Sequence, residues 1–244
     1  MRRAAGTIAV LAAALAVAVA GCGGGGDPRL TVSAASSLKR ALTDYGDGFG
    51  GAKVRLSFAG SDQLAAQIRA GARPDVYAAA NTDLPQGLFR DGLVERPVEF
   101  ASNSLVVAVP ASGGKVRALA DLGRPGVRIA VGAASLPVGA YTRKVVAKLP
   151  AARRIEANFR DQEPDVSGVV ARVARGAVDA GFVYVTDVEG SNGTLGAIEL
   201  PVDARVVYAA AVVRGSKHRE EARRFVRGLA GNGALRKAGF GLPR

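Results

Sequence analysis

A short apolar run, a turn of small residues and an amphipathic stretch opening beside a serine follow one another at Leu30-Thr31-Val32-Ser33-Ala34-Ala35-Ser36-Ser37-Leu38-Lys39-Arg40-Ala41-Leu42. This reads as a buried strand over 30–33, a tight turn, and a helix beginning near Ser36 or Ser37 and running to about Phe49. The pattern returns at Lys53 to Phe58, where Ala59-Gly60-Ser61-Asp62 leads into a stretch with Leu64, Ala65 and Ile68 at helical spacing. It returns again at Arg128 to Gly132, followed by Leu136-Pro137-Val138, with Pro137 suited to a first helical turn. A fourth helix start follows Asp165, a good N-cap, at Val166. Between these lie a strand at 75–80, a helix around 84–91 and an apolar β-branched run from Ser104 to Pro110. Further on come a strand ending at Tyr184, a return strand at 205–213 and a basic terminal helix at 220–231.

Strands alternating with helices predict an α/β fold with mostly parallel sheets covered on both faces. In such sheets ligands gather at the carboxyl ends of strands, where helix N-termini point. Each helix start leaves backbone N–H groups without intrahelical acceptors, and the helix dipole adds partial positive charge there. A hydroxyl beside those amides makes an anion site. For Ser36 taken alone, an ordinary N-cap is the structural alternative.

At 244 residues the chain has room for two lobes of about a hundred residues each. With aromatics at 5% and no Trp, its core must be built from Ala, Val and Leu. A net charge of +12 invites a nucleic-acid reading. The basic residues are scattered, however, with few aromatics among them to stack bases, so no nucleic-acid partner is expected.

The N-terminus has the layout of a secretory leader: Arg2-Arg3, an apolar run from Ile8 to Ala20, then Gly21-Cys22. That run is too short to span a bilayer comfortably. Residues 1–21 are expected to be a lipoprotein signal peptide. Cys22 is the expected lipidation site, with 22–28 a glycine-rich tether holding the domain on the outer face of the cytoplasmic membrane. Cys22 is the only cysteine, so no disulfide framework is available.

The sharpest enzyme reading is Ser36-Ser37-Leu38-Lys39, an S-x-x-K match in which Ser36 would be nucleophile and Lys39 its activator. Its companion S-D-N and K-T-G signatures are missing from the sequence, and an enzyme is not expected. His218 is the sole histidine and lies in a basic run. No Cys/His or carboxylate group has metal-ligand spacing, so neither metal nor cofactor is expected. Asp75 and Asp179 precede strands, which suits backbone roles, and Asp187 reads as a turn residue.

From about Leu30 to its C-terminus the chain resembles the molybdate-binding proteins of ABC-type molybdate importers. The resemblance rests on Ala34-Ala35-Ser36-Ser37-Leu38, Phe58-Ala59-Gly60-Ser61, Arg73-Pro74-Asp75-Val76 and Asn103-Ser104-Leu105-Val106-Val107. It continues through Pro137-Val138-Gly139-Ala140-Tyr141, Asp165-Val166 and Phe182-Val183-Tyr184. It implies a two-lobed periplasmic-binding-protein fold of type II that closes on its ligand by hinge motion. The lobes expected are 29–104 with 207–244, and 105–206.

Carried over by motif, Ser37 and Ser61 would bind the oxyanion through hydroxyl and amide, Val138 and Val166 through backbone N–H, and Tyr184 through its phenol. Two departures from the pattern stand out: Val138 stands where Ala is usual, and Gly60 and Asp62 replace small hydroxyl residues. The ligand implied is molybdate, with tungstate, and the partners are a membrane permease and its ATPase, with the binding protein a monomer. Sulfate or phosphate on the same fold is the alternative.

Overall fold

The computed structural model describes residues 28–243. The expected leader, Cys22 and most of the tether lie outside the described residues. The first half of the chain gives β1 (Arg29–Ala35), α1 (Lys39–Asp47), β2 (Lys53–Ala59), α2 (Ser61–Arg69), β3 (Val76–Ala79) and α3 (Asp83–Arg90). A long strand, β4 (Val98–Pro110), then crosses the molecule. Beyond it come β5 (Ile129–Gly132), α4 (Pro137–Val146), α5 (Ala152–Ala157), β6 (Phe159–Glu163) and α6 (Val166–Ala174). The chain ends with β7 (Ala180–Tyr184), α7 (Val185–Glu189), β8 (Leu195–Ile198), β9 (Arg205–Val212), α8 (Arg219–Leu229) and α9 (Gly233–Lys237).

The strands run in the order β2-β1-β3-β9-β4-β7-β5-β6, with β8 also paired to β4. Each half has a parallel core, β2-β1-β3 in one and β6-β5-β7 in the other. Antiparallel ladders appear only where the chain crosses between halves: β9 against β3 and β4, and β4 against β7 and β8. The crossing strand starts at Val98, six residues before the apolar run marks it. Its ladder with β9 ends at the Ser104–Arg205 pair, and its ladder with β7 begins at Leu105–Tyr184. This is the two-lobed α/β architecture that the strand and helix alternation implies.

Packing follows the sequence periodicity. Helix α8 buries Ala222, Phe225, Val226 and Leu229, one stripe at helical spacing, and turns its arginines outward. Leu30, Leu38 and Leu42 are fully buried between β1 and α1, each worth about 1.5–3 kcal/mol of transfer free energy. Small residues dominate where elements must come close. A Cβ on Gly139 would collide with the backbone carbonyls of Gly132 and Ala133, so glycine there lets α4 begin against the end of β5.

Candidate functional site

Helix starts from both halves converge on one cavity of about 20 Å³ at the carboxyl ends of the strands. One wall carries Ser36, Ser37, Gly60 and Ser61; the other carries Val138, Asp165, Val166 and Tyr184. All five residues named from the sequence as oxyanion ligands therefore line the same small space.

The serines do not cap their helices. Residues 36–38 form a single 3₁₀ turn ahead of α1, and Ser36 makes no side-chain cap bond, contrary to the N-cap alternative. Ser61 is the first residue of α2, with Gly60 at the cap position and again no side-chain cap. Ser61 Oγ instead accepts the N–H of Ala80 at 3.1 Å, which leaves its own hydroxyl proton unengaged. Ser37 Oγ lies 3.1 Å from the hydroxyl of Tyr208.

Val138 is the second residue of α4 and Val166 the first of α6, both buried. At these positions an amide has no acceptor within its own helix. Only the amide is asked for, so a valine at 138 is compatible with the site. Asp165 caps α6 by accepting from Gly168 N at 3.0 Å, as its position before Val166 predicts.

Tyr184 closes the far wall. Its side chain is 1% exposed, and its hydroxyl is the one buried side-chain polar atom among the described residues with no hydrogen-bond partner. Burial pushes the phenol well above its usual range, so it stays protonated and able to donate. Its ring is held edgewise by Tyr208, with centroids 5.9 Å apart. Its backbone N–H donates to Asp187 Oδ2 at 2.9 Å. Burial raises the Asp187 carboxyl to about 7, offset in part by that amide and by the charge of Arg40.

The two unusual residues of the second turn both act across the cleft. Asp62 Oδ2 accepts the hydroxyl of Ser135, in the loop before α4, at 2.6 Å. Its Oδ1 accepts Gln63 N at 2.8 Å, so the carboxylate is engaged away from the cavity. A Cβ on Gly60 would stand 2.6 Å from Leu136 Cδ2 and 2.7 Å from the carbonyl of Pro164, both on the opposite wall. The cleft is therefore described in a closed arrangement, which depends on glycine at 60.

A second cavity, about 420 Å³, adjoins the first through Ser36 and Ser37 and is rimmed by Lys39 and Arg40. Lys39 is exposed and suits the approach of an anion. Sequence reasoning missed Tyr208 and Asn103 behind Ser37. Asn103 is seen there only as part of a segment shared with the resembling family, and the only trace of Tyr208 is a polar side chain in an otherwise small and apolar strand. Among the described residues there is no cluster of His, Cys, Asp and Glu able to hold a metal ion, and no helix long and apolar enough to cross a membrane.

Residues 30–241 match the family model for bacterial extracellular solute-binding proteins. The molybdate-binding protein of Mycobacterium tuberculosis is 36% identical over 225 residues, covering 88% of this chain and 85% of that one. A Bacillus subtilis protein named as a putative ABC transporter substrate-binding lipoprotein is 31% identical, covering 86% and 85%. In structure the chain is similar to the periplasmic molybdate-binding protein of Azotobacter vinelandii. That match has a TM-score of 0.77 at 23% identity and covers 88% of this chain and all of that one. The chain belongs to the bacterial extracellular solute-binding proteins, alongside relatives named as molybdate-binding proteins.

Proposed function

We propose that this chain is the extracytoplasmic binding lipoprotein of an ABC-type importer, capturing molybdate, and tungstate with it, between two closing lobes. The observation that carries this reading is the orphaned hydroxyl of Tyr184, buried against a cavity whose other polar groups are hydroxyls and helix-start amides. A tetrahedral dianion has four acceptor oxygens and no donor, so it satisfies such a shell and is satisfied by it. One oxygen of the Asp165 carboxylate on the wall is engaged by its own helix, through Gly168 N. Neutral donors and helix dipoles bind the charge without burying a counter-ion that would bring its own desolvation penalty.

Size points the same way. A cavity of about 20 Å³ admits only a compact ligand. Hydrogen phosphate carries a proton and needs an acceptor, and a shell dominated by amides and the Tyr184 hydroxyl set to donate matches it less well than an unprotonated dianion. Sulfate has the right charge, and its rejection falls to the fit of the cavity.

The lobes in this reading are 29–104 with 207–244, and 105–206, hinged where β4 and β9 pass between them. Binding is non-covalent, and the closed monomer hands the ligand to a membrane permease driven by an ATPase. Cys22, once lipidated, tethers it to the outer face of the cytoplasmic membrane.

Calorimetric titration with molybdate, tungstate, sulfate and phosphate tests the ligand. One-to-one binding of the first two with weak response to the others is expected, and a response to sulfate or phosphate alone overturns the assignment. Fractionation of cells expressing the wild-type chain and Cys22→Ala tests the anchor. The variant is expected in the soluble fraction, and wild-type chain found there as well would refute lipidation.

A further inference from the structure

Behind Ser37 stands a buried polar chain that makes no contact with the cavity. Tyr208, in β9, is fully buried, and its hydroxyl lies 3.1 Å from Ser37 Oγ. Asn103, in β4, is also buried. Its Oδ1 accepts the N–H of Ser104 at 2.9 Å, which fixes the orientation of the amide. Its Nδ2 therefore points the other way, donating to Thr186 Oγ1 at 2.8 Å and reaching the Tyr208 hydroxyl at 3.5 Å.

A phenol carries one proton and accepts through its lone pairs. Asn103 shows Tyr208 only N–H, so Ser37 Oγ is the acceptor left for the phenol proton, and a buried O–H left without an acceptor is costly. With Tyr208 donating to it, Ser37 Oγ has its own proton free to turn into the cavity. Ser61 reaches the same state by another route, through the inbound N–H of Ala80. Both serines are thus supplied with a donor from behind.

We propose that Tyr208, oriented by Asn103, is a positioning residue that fixes Ser37 as a hydrogen-bond donor and so sets the selectivity of the site against protonated oxyanions. This inference rests on the oxyanion reading above. A serine free to rotate can accept from a protonated ligand as readily as donate to an unprotonated one. A serine receiving the Tyr208 proton favours donation. The side chains responsible lie in β4 and β9, the strands that join the two halves, with Thr186 bonded to the same amide.

The test is a double-mutant cycle on the full chain, titrating wild type, Tyr208→Phe, Ser37→Ala and the double variant with molybdate and with hydrogen phosphate at pH 7. Phenylalanine preserves the ring that packs on Tyr184, Phe100 and Phe240. Tyr208→Phe is expected to weaken molybdate binding about tenfold and to narrow the molybdate-over-phosphate preference, the size of one charge-assisted hydrogen bond. In the Ser37→Ala background the same change should cost less than about twofold, because the group it positions is gone.

Equal losses in both backgrounds, or no loss in either, overturn the inference while leaving the oxyanion reading intact. If the wild-type chain does not bind molybdate, the oxyanion reading itself fails. Should Tyr208→Phe not fold, Asn103→Asp gives Tyr208 a competing acceptor. The carboxylate repels the ligand in either background, so only a larger loss with Ser37 present supports the inference, and equal losses refute it.

Discussion

Gly60→Ala isolates closure of the cleft from every other property of the site. The backbone at Gly60 has φ −60° and ψ 137°, a conformation alanine adopts freely, so no local strain is introduced. The added Cβ would stand 2.6 Å from Leu136 Cδ2 and 2.7 Å from the Pro164 carbonyl. The leucine tip can rotate away, but the carbonyl is backbone. Restoring an ordinary 3.4 Å contact to it requires the walls to part by about 0.7 Å, and overpacking of this kind costs about 1–3 kcal/mol. A third contact, to Asp62 Oδ1 at 2.9 Å, is the tip of a side chain on the same turn that can swing aside. The closer two groups lie on the opposite wall, so the larger penalty falls on the closed form. The dissociation constant for molybdate should rise about 5- to 150-fold. The melting temperature of the ligand-free chain should hold or rise slightly, since Gly→Ala at a compatible φ gains about 0.4–1 kcal/mol through the unfolded state. Calorimetry gives the first quantity and a thermal melt the second. Affinity unchanged within about twofold, or a parallel fall in ligand-free stability, would refute the closure argument.

Three further outcomes follow from the same geometry. Ser61→Ala removes a ligand donor and strands the Ala80 N–H, so it should weaken molybdate binding by about 1–3 kcal/mol and also lower the melting temperature; a pure affinity loss would show that the bond to Ala80 does not matter. Ser135→Ala cuts only the exposed link to Asp62, and stopped-flow dissociation should speed up by no more than about tenfold while the association rate is unchanged. Asp187 supplies the pH dependence. Its carboxyl is raised on folding to about 7, so its contribution to stability is complete below the unfolded value near 3.8 and is lost as pH climbs through about 7. Ionisation also places a negative charge in the cavity that adjoins the site through Ser36 and Ser37, so molybdate affinity should fall between about pH 6 and pH 8. Asp187→Asn should flatten both profiles, and a slope that survives the substitution would assign it elsewhere.

The helix starts at Ser61, Pro137 and Val166 were legible because small residues, a proline and a capping aspartate mark them locally. The ligand set was legible only by resemblance, since neither valine has a side chain that announces the use of its amide. Asp62 looked out of place beside an anion site because its partner, Ser135, lies 73 residues away. The same holds for Gly60, whose opposing wall is formed by Leu136 and Pro164. The roles of Tyr208 and Asn103 were invisible for a related reason: they arise from the pairing of β4 with β9, a contact between distant segments that no local pattern encodes. Strand β6 (Phe159–Glu163) was missed because its sequence, FRDQE, is polar and only partly buried at the sheet edge.

The position of β9 in the sheet has a consequence for how the molecule is made. Strand β9 lies between β3 and β4, yet it is the last strand in the chain. Until residues 205–212 are in place, β3 and β4 have no partner between them, and the first half of the molecule cannot complete its sheet however early its other strands emerge. Parallel pairs and long loop closures already slow such a fold. A chain built in this order stays incomplete until almost its full length is available. The two halves are joined through the sheet only when residues 205–212 pair with β3 and β4.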